Sequence, residues 1–420
     1  MTDMAETTGA TRTTSMRWLG MISGTSLDAV DAVVIEFTPR GDGSGVLEAR
    51  VVGGRSTPYP PDLRARLVTA LPPGPCTAHE LTQLDTLVGQ HFAAVAAAVI
   101  DELGPVDAVS SHGQTTYHWV EDGHALGTMQ IGQPAWIAER LGVPVVSDLR
   151  ARDVAAQGHG APLVPLLDVL ALAGANDGNA TSEVVAALNL GGISNMTRVE
   201  PAPNTEGDPG REPSITAYDI GPANALVDAV VTDRGLTPEG YDVGGAIAAT
   251  GTVDDDLLER LLADPYYDLP APKSTGKEYF HLGLVRAAVG NRELSDADLI
   301  ATLTRLTAEV VGRELLRTNV TRVLASGGGC DNPVLMRALV EAAPGVQVTT
   351  TADLGIPTDL KEAFAFALMG WATWHGLPGN VPAATGAVGP RVLGSITPGA
   401  TPLRLPEPLL SLPRALVVIP

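Results

Sequence analysis

Trp18-Leu-Gly-Met-Ile-Ser-Gly-Thr-Ser-Leu-Asp-Ala-Val-Asp-Ala-Val-Val-Ile-Glu-Phe37 reads as an apolar strand, a tip of glycine and hydroxyl residues, and a second strand from Ala32 to Phe37. A turn at Pro39-Arg-Gly-Asp-Gly-Ser-Gly45 returns the chain to a third strand, Val46 to Val52. A long helix follows. Thr77-Ala-His-Glu80 forms a capping box, and Leu81, Leu84, Val88, Phe92 and Val95 recur at helical spacing. Gly104-Pro105 stops that helix, and Val106 to Ser110 resumes as strand.

The same order returns further along. Val184 to Leu190 is a strand, Gly191-Gly-Ile-Ser-Asn195 a polar tip, and Met196 to Val199 the return strand. Ser295-Asp-Ala-Asp298 opens a capped helix with Leu299, Leu303, Leu306 and Val310 on one face, followed by a strand (Arg322 to Ala325), Gly327-Gly-Gly329 and a helix from Asn332. Two similar α/β halves with glycine-rich tips suggest a nucleotide cleft between lobes, the architecture of the actin, hexokinase and Hsp70 superfamily, with its ribonuclease H-like lobes. The expected division is a disordered tail over residues 1–16, a first lobe of 17–150 with 381–420, and a second lobe of 151–380. The repeat by itself leaves open two unrelated α/β domains with look-alike hairpins.

With 420 residues, of which 45% are hydrophobic, the chain has material for two cores. Aromatics are only 4%, so Ala, Val, Leu and Ile must build them. A net charge of −21 opposes binding to nucleic acid or an anionic membrane. Backbone N–H groups and Mg²⁺ can still hold a phosphate. Cys76 and Cys330 have no metal-like spacing and fit a reducing cytoplasm. The start lacks the apolar core of a signal peptide, and the longest apolar run, Phe92 to Ile100, is too short to span a bilayer. The polar, proline-rich stretch from Glu200 to Pro213 is expected outside the core.

Ser23-Gly-Thr-Ser-Leu-Asp28 and Asp31 place glycine, hydroxyls and carboxylates at one tip. Gly24 permits close approach to a phosphate, Thr25 and Ser26 can donate to it, and Asp28 or Asp31 could hold Mg²⁺ through water. A ligand-free polar turn remains the alternative. Gly191 and Gly192 could close on the same phosphates from the other side, and Gly327, Gly328 and Gly329 could admit a base or ribose. No P-loop occurs, and no dinucleotide fingerprint follows a strand. Asp219, ahead of Gly221-Pro222, is placed at a cleft, although a lone Asp there is also an ordinary turn or cap residue. Ser111-His-Gly-Gln-Thr115, Arg150-Ala-Arg-Asp153 and Gln157-Gly-His-Gly160 suit a hydroxyl-rich ligand, or else a polar loop network.

In the same order along the chain, Ser23-Gly-Thr-Ser-Leu-Asp28, Ser111-His-Gly-Gln-Thr115, Gln130-Ile-Gly-Gln-Pro134, Asp153-Val-Ala155, Gly160-Ala-Pro-Leu-Val-Pro165, Asn189-Leu-Gly-Gly192, Asp219-Ile-Gly-Pro222, Pro272-Lys-Ser-Thr-Gly276, Gly327-Gly-Gly329 and Pro378-Gly-Asn380 resemble the anhydro-N-acetylmuramic acid kinase family. The resemblance runs from about Trp18 to Gly394. Ala29 and Ala223 stand where glycine is usual, and His159 where Gln is common. The resemblance implies a cytoplasmic homodimer that opens the 1,6-anhydro ring of anhydro-N-acetylmuramic acid and phosphorylates O6 with ATP and Mg²⁺. It implies Asp219 as catalytic base. Phosphates would be held by Ser23, Gly24, Thr25, Ser26, Leu27, Asp28, Asp31, Gly191 and Gly192, and adenosine by Gly327, Gly328 and Gly329. The sugar would be held by Ser111, His112, Gln114, Gln130, Arg150, Asp153, His159 and Asn224, and Glu362 would reach the metal through water. The alternatives are a kinase of an ordinary sugar, which consumes no ring-opening water, and a non-enzymatic actin-like ATP-binding module. A DNA-binding repressor is disfavoured, since nothing resembles a basic helix-turn-helix arm.

Overall fold

Both faces of the first strands are apolar, because each strand is covered on two sides. In the computed structural model, which describes residues 15–24, 27–72, 74–175, 183–201, 213–271 and 273–420, β1 (Met16–Ser23) and β2 (Ala29–Pro39) form the expected hairpin. Val30, Ala32 and Val34 pack toward the helix Ala78–Leu103, while Val33, Ile35 and Phe37 pack toward the helix Lys361–Trp374. The sheet continues through β3 (Val46–Pro58), β4 (Ala108–Glu121), β5 (His124–Ile131) and β6 (Val145–Ser147). The strands Ser395–Thr397 and Ala415–Val418 close its two edges.

The second sheet holds β7 (Val185–Leu190), β8 (Ile193–Glu200), β9 (Ser214–Pro222), β10 (Arg322–Ser326) and β11 (Gln347–Thr350). Its order, β11-β10-β7-β8-β9, repeats the β6-β4-β1-β2-β3 order of the first sheet. The senses repeat too: each hairpin and its third strand are antiparallel, and the next two strands add in parallel. The internal repeat read in the sequence is therefore a duplicated lobe of actin-like topology.

Several boundaries shift. The second strand starts at Ala29, so Asp31 lies in the strand opposite Ile22. β8 starts at Ile193, which leaves Gly191-Gly192 as the whole tip. β4 runs on through the Ser111–Thr115 motif, which is strand and not loop. Thr77 caps its helix as expected, accepting from the Glu80 N–H at 3.1 Å, but the Glu80 carboxylate pairs with Arg66 instead of closing the box. The helix Ala78–Leu103 has the length and composition of a membrane span, yet Leu84, Val88, Phe92, Val95 and Val99 are buried in the first lobe. Thr25 and Ser26, most of the expected tail and most of the 200–213 stretch lie outside the described residues.

The helix Lys361–Trp374 belongs with the first sheet: Phe37 meets Phe364 edge-on at 6.0 Å between ring centres and Trp371 at 6.1 Å. On this packing we propose that the first lobe resumes near residue 355 and not at 381. The helix crosses β1 at Gly20, where a Cβ would collide with the Ala363 carbonyl and the Ala367 side chain. Gly20→Ala is thus expected to cost about 1–3 kcal/mol by overpacking, read as a lower urea midpoint with an unchanged slope.

Candidate active site

The two sheets leave a cleft of about 870 Å³, bordered by Asn189, Gly191, Asp219, Gly327, Asp359 and Glu362 among others. Asp219 sits at the end of β9, just before the turn that leads to the helix Ala225–Arg234. Its Oδ2 accepts from the Ser274 hydroxyl and the Thr275 N–H, each at 2.9 Å. Its backbone is pinned as well: the N–H donates to Lys273 O at 2.9 Å, and the carbonyl accepts from the Tyr266 hydroxyl at 2.9 Å. No hydrogen bond from the described residues reaches Oδ1. Burial raises the Asp219 pKa above the ordinary carboxylate value, the Thr275 and Ser274 hydrogen bonds oppose this, and Glu278 adds to it.

The two tips are braced alike. Gln114, fully buried on β4, donates from Nε2 to the Gly24 carbonyl at 3.1 Å. Asn224 donates from Nδ2 to the Gly191 carbonyl at 2.9 Å. Both amides were expected on the sugar; Gln114 is fully enclosed, Asn224 is half-buried, and each holds a glycine tip from behind, because a tip carbonyl turned inward needs a donor. Ser23 is buried at the end of β1. Leu27 adopts φ +57 with its side chain in the core, so only its backbone could serve a ligand. Asp28 turns outward to Arg64 at 2.8 Å. Asp31 is the acid of this tip that faces inward: burial raises its pKa, Ser56 lowers it, and Asp359, a cleft residue, raises it further.

Enclosure corrects further expectations. Asp153 is fully buried, and its carboxylate accepts from the Gly160 N–H (2.8 Å), Asn380 Nδ2 (2.6 Å) and the Thr385 hydroxyl (2.8 Å). It ties down the loop that carries His159 and has no face left for a sugar. Gly329 lies against the Leu190 and Leu335 side chains, away from the cleft, whereas Gly327 and Gly328 border it. Gly327 has φ +86 and leaves no room for a Cβ beside Asn189, so glycine is required there for two reasons.

His112 is locked as a neutral ring: Nδ1 donates to Gly113 O at 3.0 Å, and Nε2 accepts from Arg150 Nε at 2.8 Å. Burial holds its pKa far below the usual histidine value, and Arg150 adds to that. It acts on Arg150 and not on a ligand. Ser111 is buried, and Gln130 donates to Thr115 and Thr128 along the β4–β5 ribbon outside the cleft. His159 does border the cleft, and so does His118, which the sequence reading missed. Glu362, in the first turn of its helix, is accessible from the cleft yet ringed by protein. Burial raises its pKa, Arg150 and Lys361 oppose this, and Asp31 adds to it. The role of Ser274 and Thr275 was signalled only by their place in the Lys-Ser-Thr-Gly motif.

The family model for anhydro-N-acetylmuramic acid kinase matches residues 16–399. An anhydro-N-acetylmuramic acid kinase of Streptomyces coelicolor is 50% identical over 407 residues, 96% of this chain and 99% of that protein. One from Rhodococcus erythropolis is 48% identical, covering 92% of this chain and 95% of its own length. One from Xanthomonas oryzae is 43% identical, covering 91% and 98%. With a match of this length and a duplicated actin-like lobe, the chain belongs to the anhydro-N-acetylmuramic acid kinase family.

Proposed function

We propose that this chain opens the 1,6-anhydro ring of anhydro-N-acetylmuramic acid and transfers the γ-phosphoryl group of ATP to O6, with Asp219 as general base. The observation that carries this is the half-held carboxylate: Oδ2 is fixed by Ser274 and Thr275, and Oδ1 is left toward a cleft that Gly191 and Gly327 also border. A base held at one oxygen keeps its orientation while the other is ready for a proton.

In this mechanism Oδ1 takes a proton from a water that attacks C1. The C1–O6 bond breaks, and O6 attacks the γ-phosphorus as the bond to the β-phosphate oxygen opens. Phosphoryl transfer depends mainly on alignment and charge stabilisation, which the backbone of the two braced tips would supply. Among the described residues no three His, Cys, Asp or Glu side chains converge as a metal cage. The neighbouring acids Asp31 and Glu362 instead fit a hydrated Mg²⁺, which keeps several waters and takes phosphate oxygens. Asp31 and Glu362 would hold such an ion through water, and it would supply positive charge to the phosphates. In this reading His159 and His118, which border the cleft, would face the sugar, and Gly327 and Gly328 the adenosine.

Mass spectrometry of the product from ATP and anhydro-N-acetylmuramic acid is expected to show the gain of one phosphate and one water. In ¹⁸O-water the label should appear at C1 at the rate of phosphorylation. Phosphorylation with the ring intact, or without label, would overturn ring opening and leave an ordinary sugar kinase.

A further inference from the structure

The segment 273–280 does more than hold the base. Three residues beyond Ser274, Lys277 folds back over the second glycine tip. A Cβ on Gly192 would meet Lys277 Cε at 2.8 Å and Nζ at 3.6 Å, so the absence of a side chain at 192 is what lets the lysine lie there. The tip beneath it is rigid. The Gly192 carbonyl accepts from the Ala223 and Ala225 N–H groups at 2.9 and 3.0 Å, and the Gly191 carbonyl accepts from the Asn224 N–H at 3.0 Å. Lys277 is exposed, and among the described residues it makes no ion pair within 4.0 Å. Its electrostatic neighbour is Asp228, half-buried in the first turn of the following helix. A nearby acid without direct pairing leaves the ammonium donors available to another anion.

We infer that Lys277 is a further catalytic residue, whose ammonium contacts the phosphoryl group in transfer at the Gly191-Gly192 tip. The inference rests on the kinase reading above and names the group that carries charge at the phosphate end. As the O6–phosphorus bond forms and the bond to the β-phosphate oxygen breaks, negative charge gathers on the transferring oxygens and on the departing ADP. A fixed cation beside them is worth more in the transition state than in bound ATP. The chain segment thereby joins both ends of the reaction: Ser274 and Thr275 set the base, and Lys277, two residues beyond Thr275, sets the counter-charge. The bland alternative is a surface lysine whose stem merely covers the tip.

Steady-state kinetics of full-length Lys277→Ala, Lys277→Met and Lys277→Arg with ATP and anhydro-N-acetylmuramic acid separate these readings. Losing one such stabilising donor is expected to lower kcat by about 10²–10³-fold, as for an oxyanion donor, with KM for the sugar within a few-fold. Lys277→Arg should restore most of kcat. Ethylammonium added to Lys277→Ala should raise its kcat in a saturable way, which a lost packing contact would not allow. Lys277→Met keeps the apolar stem, so equal losses in Met and Ala assign the effect to charge. A kcat within threefold of the parent in the Ala and Met variants overturns the inference and leaves the kinase reading standing. A parent enzyme that phosphorylates no anhydro sugar overturns the kinase reading itself, and the inference with it.

Discussion

Asp219→Asn is expected to lower kcat by about 10²–10⁴-fold, the span of a general base, while ATP binding stays near the parent value. The amide fits the same seat. Its oxygen can accept from Ser274 and Thr275 as Oδ2 does, and its NH₂ then replaces Oδ1 toward the cleft. The geometry survives and the proton acceptor is lost. Sugar phosphorylation at the parent rate would remove Asp219 from the base role. The acid limb of kcat/KM follows the same carboxylate. Burial raises its pKa above 3.8, and the base must be ionised, so activity falls as pH drops through that raised value. Ser274→Ala removes a hydrogen bond that favours the ionised form and should move the limb to higher pH. The sign for stability is opposite. A carboxylate with a raised folded pKa costs stability above that pKa, and the cost fades as pH falls through it and is gone below the unfolded-state value. Asp219→Asn should therefore unfold at an equal or higher urea concentration than the parent at pH 7.

The largest expected loss of stability lies in the seam between the lobes. Lys361 Nζ lies 2.6 Å from Asp168 Oδ1, both side chains almost wholly buried. The lysine also donates to the Ser326 hydroxyl at 3.0 Å at the end of β10, and Asp168 accepts from Thr197 of β8 at 3.1 Å. The lysine comes from the helix that covers the first sheet, whereas its partner Ser326, which donates on to the Leu188 carbonyl, and Thr197, the partner of Asp168, lie in the second sheet. Lys361→Met leaves Asp168 charged and nearly unpaired, at an expected cost of about 3–5 kcal/mol. Urea unfolding should show that loss, and Lys361→Met combined with Asp168→Leu should recover most of it. A single-variant loss below 1 kcal/mol would mean that water reaches the pair and screens it. Glu362, the next residue, borders the cleft, so this pair also fixes the start of the helix that presents it.

Much of the fold was legible because its signals are local. The Ser295 cap forms, with its hydroxyl accepting from the Asp298 N–H at 3.1 Å, and Gly104 ends its helix with φ +90. The strand ends read too short because β2, β3 and β4 continue through polar residues, and pairing decides those limits. A place on the cleft was legible for Gly191, Gly327, Gly328 and Asp219, where backbone shape and a turn announce themselves. The site was less legible at Gln114, Asp153 and Asn224, polar residues that a sequence cannot assign to a ligand or to a distant backbone.

The order of short-range signals in this chain determined the duplicated strand-tip-strand unit, the helix caps and the Asp219 turn, since each depends on neighbours a few positions away. Tertiary structure alone decided which polar groups meet the cleft. Asp153 is satisfied by Asn380 and Thr385, 227 and 232 positions away, and Asp168 by Lys361. Whether a buried polar atom is a ligand or a brace depends on whether a partner arrives to satisfy it, and those partners are brought by the packing of two lobes, not by the spacing of residues.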